Sequence, residues 1–223
     1  MVSAPAPGYS SFVDLRSSYD VVAAEYAAEF RDEMCHKAFD RKMLDLLVEK
    51  VNGIGRICDL GCGPGQVARY LHGRGAEVCG IDLSPEMVQQ AAHLSPEIAF
   101  QQGDMLTLSE VADDTFGGIA AFYSILHIPR PDVGRALGEL ARVLLPNGAL
   151  LITFHIGDEV VHKDEWWGKT VTLDFIFFRT AEMKGWLTSA GFVLEEVIER
   201  DPYVGIEYPS RRAYLFARKP SRP

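Results

Sequence analysis

Residues 56–71 constrain the fold more than any other stretch of the chain. Arg56-Ile57-Cys58-Asp59-Leu60 is a short apolar strand with an acid near its end. Gly61-Cys62-Gly63-Pro64-Gly65 follows with a glycine at every second position, and Val67-Ala68-Arg69-Tyr70-Leu71 then takes up helical spacing. Glycine lets the backbone turn sharply and lets a ligand approach with no Cβ in the way. A strand that passes through such a turn into a helix belongs to an open α/β sheet, which binds ligands at the carboxyl ends of its strands. For the loop taken alone, a tight turn with no ligand is the plain alternative.

The rest of the chain repeats the alternation. A second strand, Glu77-Val78-Cys79-Gly80-Ile81, ends at Asp82, and Ser84-Pro85 supplies an N-cap and a first-turn proline for the next helix. A third strand, Ile98-Ala99-Phe100-Gln101, ends at Gly103-Asp104, and a fourth over 118–122 runs into Tyr123-Ser124. A helix over 133–144 stops at Pro146-Asn147-Gly148, ahead of a fifth strand over 149–154. A helix over 180–190 and two late strands, 193–199 and 213–217, finish the pattern. Upstream, apolar residues at helical spacing predict two helices within 18–51, broken near 35–38. Together these elements predict a mostly parallel sheet with helices on both faces.

The chain has 223 residues, enough for one domain with a substantial core. Its net charge of −9 repels phosphate backbones, so neither a nucleic acid nor an anionic membrane is expected as a partner. No apolar run reaches the length of a membrane span. Residues 1–17 begin small and polar, lack the pattern of a secretory signal, and are read as a flexible tail ahead of a single domain over 18–223. Cys35, Cys58, Cys62 and Cys79 include no C-x-x-C pair. They are read as reduced thiols of a cytoplasmic protein rather than a disulfide frame or a zinc site.

The acids beside the glycine loop narrow its ligand. Asp82 lies about 20 residues beyond the loop, where a carboxylate suits recognition of ribose hydroxyls. Asp104 is placed to reach the exocyclic amine of an adenine, and Asp59 to face a positively charged amino group. A pyrophosphate-binding loop has G-x-G-x-x-G spacing and presents helix N-terminal amides to negative charge. Here the spacing is G-x-G-x-G with an acid before it. That suits the ammonium and sulfonium of S-adenosylmethionine (SAM) better than a dinucleotide.

At this point the chain resembles a class I SAM-dependent methyltransferase of the small, actinobacterial-type branch related to the ubiquinone and menaquinone biosynthesis enzymes. Asp59-Leu60-Gly61-Cys62-Gly63-Pro64-Gly65 is similar to the family's first motif, and Gly80-Ile81-Asp82-Leu83-Ser84-Pro85-Glu86-Met87 to its second. Gly103-Asp104-Met105 resembles the adenine-side motif, Phe122-Tyr123-Ser124-Ile125-Leu126-His127 the fourth, and residues 140–149 the approach to strand five. The resemblance implies a Rossmann-like seven-stranded, mostly parallel sheet whose last strand is antiparallel. It implies SAM as cofactor and S-adenosylhomocysteine as product. Asp82 would hold the ribose, Leu83 and Met87 the adenine face, and Gly103, Asp104 and Met105 the base edge. Gly61 and Tyr123 would line the methionine portion, with Asp59 and Gly63 also among the cofactor-binding residues. Tyr19 and Tyr26 would lie on an N-terminal helical lid over 18–51, or simply pack it.

The expected reaction is methyl transfer to an O, N, S or C atom of a small, partly apolar or aromatic acceptor, by a monomer or homodimer. An RNA or protein methyltransferase, or a silent SAM-binding regulator, is the alternative. Because the sulfonium is already a good leaving group, the protein has mainly to position a nucleophile and exclude water. His127, after the fourth strand, is the first candidate for a base or orienting group, with a packing histidine as the alternative. His36 sits where the two N-terminal helices break, within a His-Lys-x-Phe-Asp-Arg run that resembles the same branch, and is the second candidate. Residues 155–179 exceed a standard crossover and carry Trp166, Trp167, Phe175 and Phe178. They read as an arm inserted after strand five, walling the acceptor site or serving as a packing arm. His155 and His162 lack a metal-ligand spacing, so no metal is expected.

Overall fold

The computed structural model describes residues 12–221. Helix α1 (Phe12–Phe30) is followed by the single turn α2 (Glu33–His36) and by α3 (Ala38–Val51). Then β1 (Ile57–Leu60), α4 (Gln66–Gly73), β2 (Val78–Asp82), α5 (Pro85–Leu94), β3 (Ala99–Gln102) and β4 (Phe116–Phe122) alternate. After two short 3₁₀ turns come α6 (Val133–Val143), β5 (Leu144–His155), β6 (Val160–Trp166), β7 (Lys169–Ile176), α7 (Thr180–Ser189), β8 (Val193–Arg200) and β9 (Arg212–Arg218).

Seven of these strands form one sheet in the order β3-β2-β1-β4-β5-β9-β8. The first five run parallel, and β9 lies antiparallel to both β5 and β8. Strand order reverses between β1 and β4, and this switch point is where an open α/β sheet leaves a crevice. Strand β1 is buried along its whole length, and β4 nearly so. Helices cover both faces, so β4 reads as an unbroken apolar run and β1 departs from one only at Asp59. On one face Leu137, Leu140 and Val143 of α6 and Met183 and Leu187 of α7 pack on Ile119, Leu150 and Ile152. On the other, Met43, Leu44 and Leu47 of α3 and Val67 and Leu71 of α4 pack on Leu151, Tyr214 and Phe216.

Strands β6 and β7 form a separate antiparallel hairpin, the arm expected after strand five. Leu15 and Val22 of α1 pack against Val171 and Leu173 of β7 as a small third core.

Three expectations are corrected. Residues 12–17 are helix, not tail: Leu15 is buried against the hairpin, so the first turns are held by tertiary packing. Residues 1–11 of the expected tail lie outside the described residues. The N-terminal helices break at Arg31-Asp32 as well as at Lys37, leaving the short α2 between them. The expected lid over 18–51 also divides. Helix α1 packs on the β6–β7 hairpin and on α5, whereas α3 buries Met43, Leu44, Leu47 and Val51 in the core and belongs to the sheet layer.

Candidate active site

At the carboxyl ends of β1 and β2 the glycine loop folds back on its neighbours. Gly61 has φ +72°, and a Cβ there would lie 2.3 Å from the Cβ of Ser124, so both backbone and space require glycine. The Gly61 and Cys62 N–H groups donate to the Ile81 carbonyl at 2.7 and 3.1 Å. The Gly63 N–H donates to Asp82 Oδ2 at 2.7 Å and the Ser84 N–H to Oδ1 at 2.9 Å, so Asp82 organises two loops at once. Burial raises the Asp82 carboxyl above the ordinary range, opposed by these backbone donors. Ser84 caps α5 by accepting the Met87 N–H at 3.1 Å and donates its own hydroxyl to Asp20 of α1 at 2.6 Å. Asp59, only 1% exposed, accepts the Ala68 N–H of α4 at 2.9 Å. Burial pushes its carboxyl up to about 8. Asp104, after β3, accepts the Leu106 N–H at 2.8 Å beside Gly103 and buried Met105.

Helix α1 and the hairpin roof this floor. The Ser18 hydroxyl accepts the Thr172 N–H at 2.8 Å, and Lys169 Nζ donates to the Val21 carbonyl and to Glu25. Beneath them Tyr19 and Tyr26 meet edge to face at 5.9 Å, and Tyr26 meets Trp166 at 5.6 Å. Trp166 and Trp167 stack at 4.6 Å and 9° at the hairpin tip. Floor and roof enclose a cavity of 730 Å³, a size suited to a cofactor together with part of a small second ligand. Every candidate residue from the sequence lines it: Tyr19, Tyr26, Asp59, Gly61, Gly63, Asp82, Leu83, Met87, Gly103, Asp104, Met105 and Tyr123, with His127 and His36.

The two candidate histidines differ. His127 lies in the turn after β4. One ring nitrogen, Nδ1, is 2.8 Å from the Asp174 carbonyl of β7, and Nε2 is 2.8 Å from the Tyr19 hydroxyl. A carbonyl only accepts, so Nδ1 carries the proton and Nε2 accepts from Tyr19. Burial pushes the imidazole down to about 4, outweighing the Asp174 carbonyl that opposes it. His36, by contrast, is exposed at the end of α2 on the cavity rim. Its neighbour Lys37 turns inward, with Nζ 5.6 Å above the Tyr123 ring and ion-paired to Glu33.

Sequence reasoning missed the far end of the cavity. There His155 at the end of β5 stands opposite Arg212 at the start of β9, beside Tyr123, Phe177 and Tyr208. This meeting joins residues 57 positions apart and depends on the β5–β9 register. The detectable signal was Arg212, a cation directly ahead of the largely apolar run 213–217. Tyr123 itself has φ +55°, a left-handed conformation held by its N–H donating to Thr153 Oγ1 at 2.9 Å. Its hydroxyl is 3.0 Å from that of Tyr214. His162 points away from the cavity chemistry, exposed on β6 and 2.8 Å from Asp174 Oδ1. Cys35, Cys58, Cys62 and Cys79 are free thiols, all but Cys35 buried.

Comparison with known proteins supplies context for this geometry. Residues 57–148, from β1 into β5, match the family described as methyltransferase domain. A malonyl-[acyl-carrier protein] O-methyltransferase of Pseudescherichia vulneris is 33% identical over 134 residues, which cover 59% of this chain and 52% of that protein. A demethylmenaquinone methyltransferase of Thermus thermophilus is 36% identical over 118 residues, covering 50% and 51%. The chain thus spans about half the length of these curated relatives. Among solved structures, the [4+2]-cyclase SpnF has a TM-score of 0.74 at 20% identity, with 99% of this chain and 100% of that one covered. A Burkholderia thailandensis 1,6-didemethyltoxoflavin-N1-methyltransferase, solved with 1,6-didemethyltoxoflavin and S-adenosylhomocysteine, has a TM-score of 0.71 at 18% identity, covering 99% and 94%. At these identities the two structures speak for the fold.

Proposed function

We propose that this chain, which carries a class I methyltransferase domain over residues 57–148, transfers the methyl group of SAM to a small-molecule acceptor held over β4 and β5. The observation that carries the reading is Asp82. Its carboxylate ends β2 beside the G-x-G-x-G loop, fixed by the Gly63 and Ser84 amides, on the wall of the 730 Å³ cavity. The donor set suits SAM: acids at the ends of β1, β2 and β3 match ribose hydroxyls, an ammonium and a sulfonium, and disfavour a pyrophosphate. At Gly63 a Cβ would point into open space, with only the Tyr26 ring 3.8 Å away, leaving room for a ligand under α1.

When bound, SAM supplies an electrophilic methyl group on sulfur and leaves as S-adenosylhomocysteine. Asp82 would hold the ribose, Leu83 and Met87 one face of the adenine, and Gly103, Asp104 and Met105 its edge. Gly61, Gly63, Asp59 and Tyr123 would border the methionine portion. Tyr19 and Tyr26 close the roof and exclude water.

His127 acts as an orienting group rather than a base. Taking a proton from a phenol near pKa 10 onto an imidazole near 4 would cost about 8 kcal/mol. Nδ1–H is pinned by the Asp174 carbonyl, so Nε2 holds the Tyr19 hydroxyl in place, and Tyr19 in turn borders the reacting groups. A neutral amine, a thiolate or another anion needs no base and suits such an arrangement. No helix among the described residues is long and apolar enough to cross a membrane, and three buried free thiols suit a reducing compartment. On the buried thiols we place the reaction in the cytoplasm.

Incubation with methyl-labelled SAM and a panel of amines, thiols, phenols and small acids tests the reading. Label should pass to at least one acceptor. His127→Ala and Tyr19→Phe should each lower turnover about 10- to 100-fold, with S-adenosylhomocysteine affinity retained after His127→Ala. Full turnover after His127→Ala would remove that residue from the reaction. Cyclisation or rearrangement of a substrate without label transfer would place the chain with fold relatives such as the [4+2]-cyclase.

A further inference from the structure

We propose that the acceptor bears a carboxylate, and that Arg212, Lys37 and His155 form the subsite that recognises it where β5 meets β9. The word acceptor rests on the methyl-transfer reading; the subsite itself is a feature of the cavity.

Arg212 is the anchor. It is 2% exposed, yet it lines the cavity. Its Nη1 donates to the Tyr208 and Ser210 carbonyls at 3.1 and 2.7 Å, which fixes the guanidinium plane. Its Nε stands 3.3 Å from Glu207 Oε1 but makes no hydrogen bond there. Its Nη2 donates to no group among the described residues. A buried guanidinium with unused N–H groups is costly unless an acceptor oxygen completes it. Glu207 is already committed. Arg200 grips both its oxygens at 2.7 Å, and the Tyr203 N–H donates to Oε2 at 2.7 Å.

Two further groups converge on the same space. Lys37, ion-paired to Glu33, projects from the α2–α3 junction over the Tyr123 ring. His155 is stacked on Phe177 at 5.0 Å, with Nδ1 2.6 Å from the Ser210 hydroxyl. With Ser210 donating to Nδ1, the neutral imidazole carries its proton on Nε2 and offers it to the cavity. Burial first, then Arg212 and Lys37, push this imidazole down to about 3 against Glu207, so it stays neutral and keeps its Nε2 proton at neutral pH. One guanidinium edge and an imidazole N–H, between the flat walls of Tyr123, Phe177 and Tyr208, fit a planar two-oxygen anion.

Calorimetry on the full chain, with and without saturating S-adenosylhomocysteine, tests this with matched pairs: benzoate and benzamide, phenylacetate and phenylacetamide, hexanoate and hexanamide. At least one carboxylate should bind about tenfold or more tightly than its amide. That preference should fall about tenfold in Arg212→Gln, fall less in Lys37→Gln, and be partly kept in Arg212→Lys. If burial makes the Arg212 variants unstable, Lys37→Gln alone should still narrow the gap. The proposal is overturned if no carboxylate outbinds its amide, or if the preference survives Lys37→Gln and Arg212→Gln unchanged. A carboxylate preference in a protein that does not bind S-adenosylhomocysteine would sink the methyl-transfer reading and leave the subsite standing.

Discussion

Asp59 and Asp82 end neighbouring strands, yet the chain uses them differently. Asp82 is half-buried and spends its oxygens on two loop amides, while Asp59 lies beneath the loop and holds the first turn of α4. With its carboxyl pushed up to about 8, Asp59 is largely protonated at neutral pH in the free protein. An ammonium group placed beside it favours the ionised form, so binding should release a proton. The sign follows: S-adenosylhomocysteine affinity should rise with pH between 6 and 8, by up to about tenfold per unit, and level off above that. Calorimetric titrations at pH 6, 7 and 8 measure it, and Asp59→Asn should flatten the profile. A flat wild-type profile would leave Asp59 with its role at α4 alone. Both acids were readable in the sequence as strand ends. Their unequal burial was not, because it depends on α4 closing over Asp59 and not over Asp82.

At the scale of elements, the β6–β7 hairpin shows how the roof is built. Trp167 and Gly168 connect the strands in two residues, with φ of +52° and +75°. A two-residue turn with both φ values positive normally asks for Asn-Gly or Gly-Gly. A tryptophan at its first position costs about 1 kcal/mol. Stacking on Trp166 and contact with Phe30 and Tyr26 hold it there, at a similar gain of about 1 kcal/mol. Trp167→Asn should therefore leave the melting temperature within a few degrees of wild type, while KM for the labelled acceptor rises severalfold. A lower melting temperature with unchanged KM would make the hairpin tip a packing device. The arm was legible in the sequence from its alternating residues and its excess length. The helix ahead of it was harder to place. The repeat of 3.6 residues is the same for α1, which packs on the hairpin, and for α3, which packs on the sheet. Periodicity reports that a helix has an apolar face. It does not report which partner that face meets.

Across the whole molecule, the sheet order puts the glycine loop, the turn after β4 and the ends of β5 and β9 around one cavity. Its two halves differ in their charged groups: three acids stand on one, and Arg212 and Lys37, each beside a glutamate, on the other. Asp59, Asp82 and Asp104 come from consecutive strand–loop junctions, which is why the donor half could be read along the chain. Lys37, His155 and Arg212 come from three distant segments and meet only through the antiparallel β5–β9 pairing and the turn between α2 and α3. Local signals such as glycines, caps and strand-end acids survive in a linear sequence, whereas the acceptor half is made by long-range register. The division into a donor half and an acceptor half rests on the cofactor assignment. Calorimetry of the intact chain with S-adenosylhomocysteine and, separately, with NAD tests that assignment most directly. One molecule of S-adenosylhomocysteine should bind per chain while NAD gives no heat of binding. Binding of NAD without binding of S-adenosylhomocysteine would contradict it.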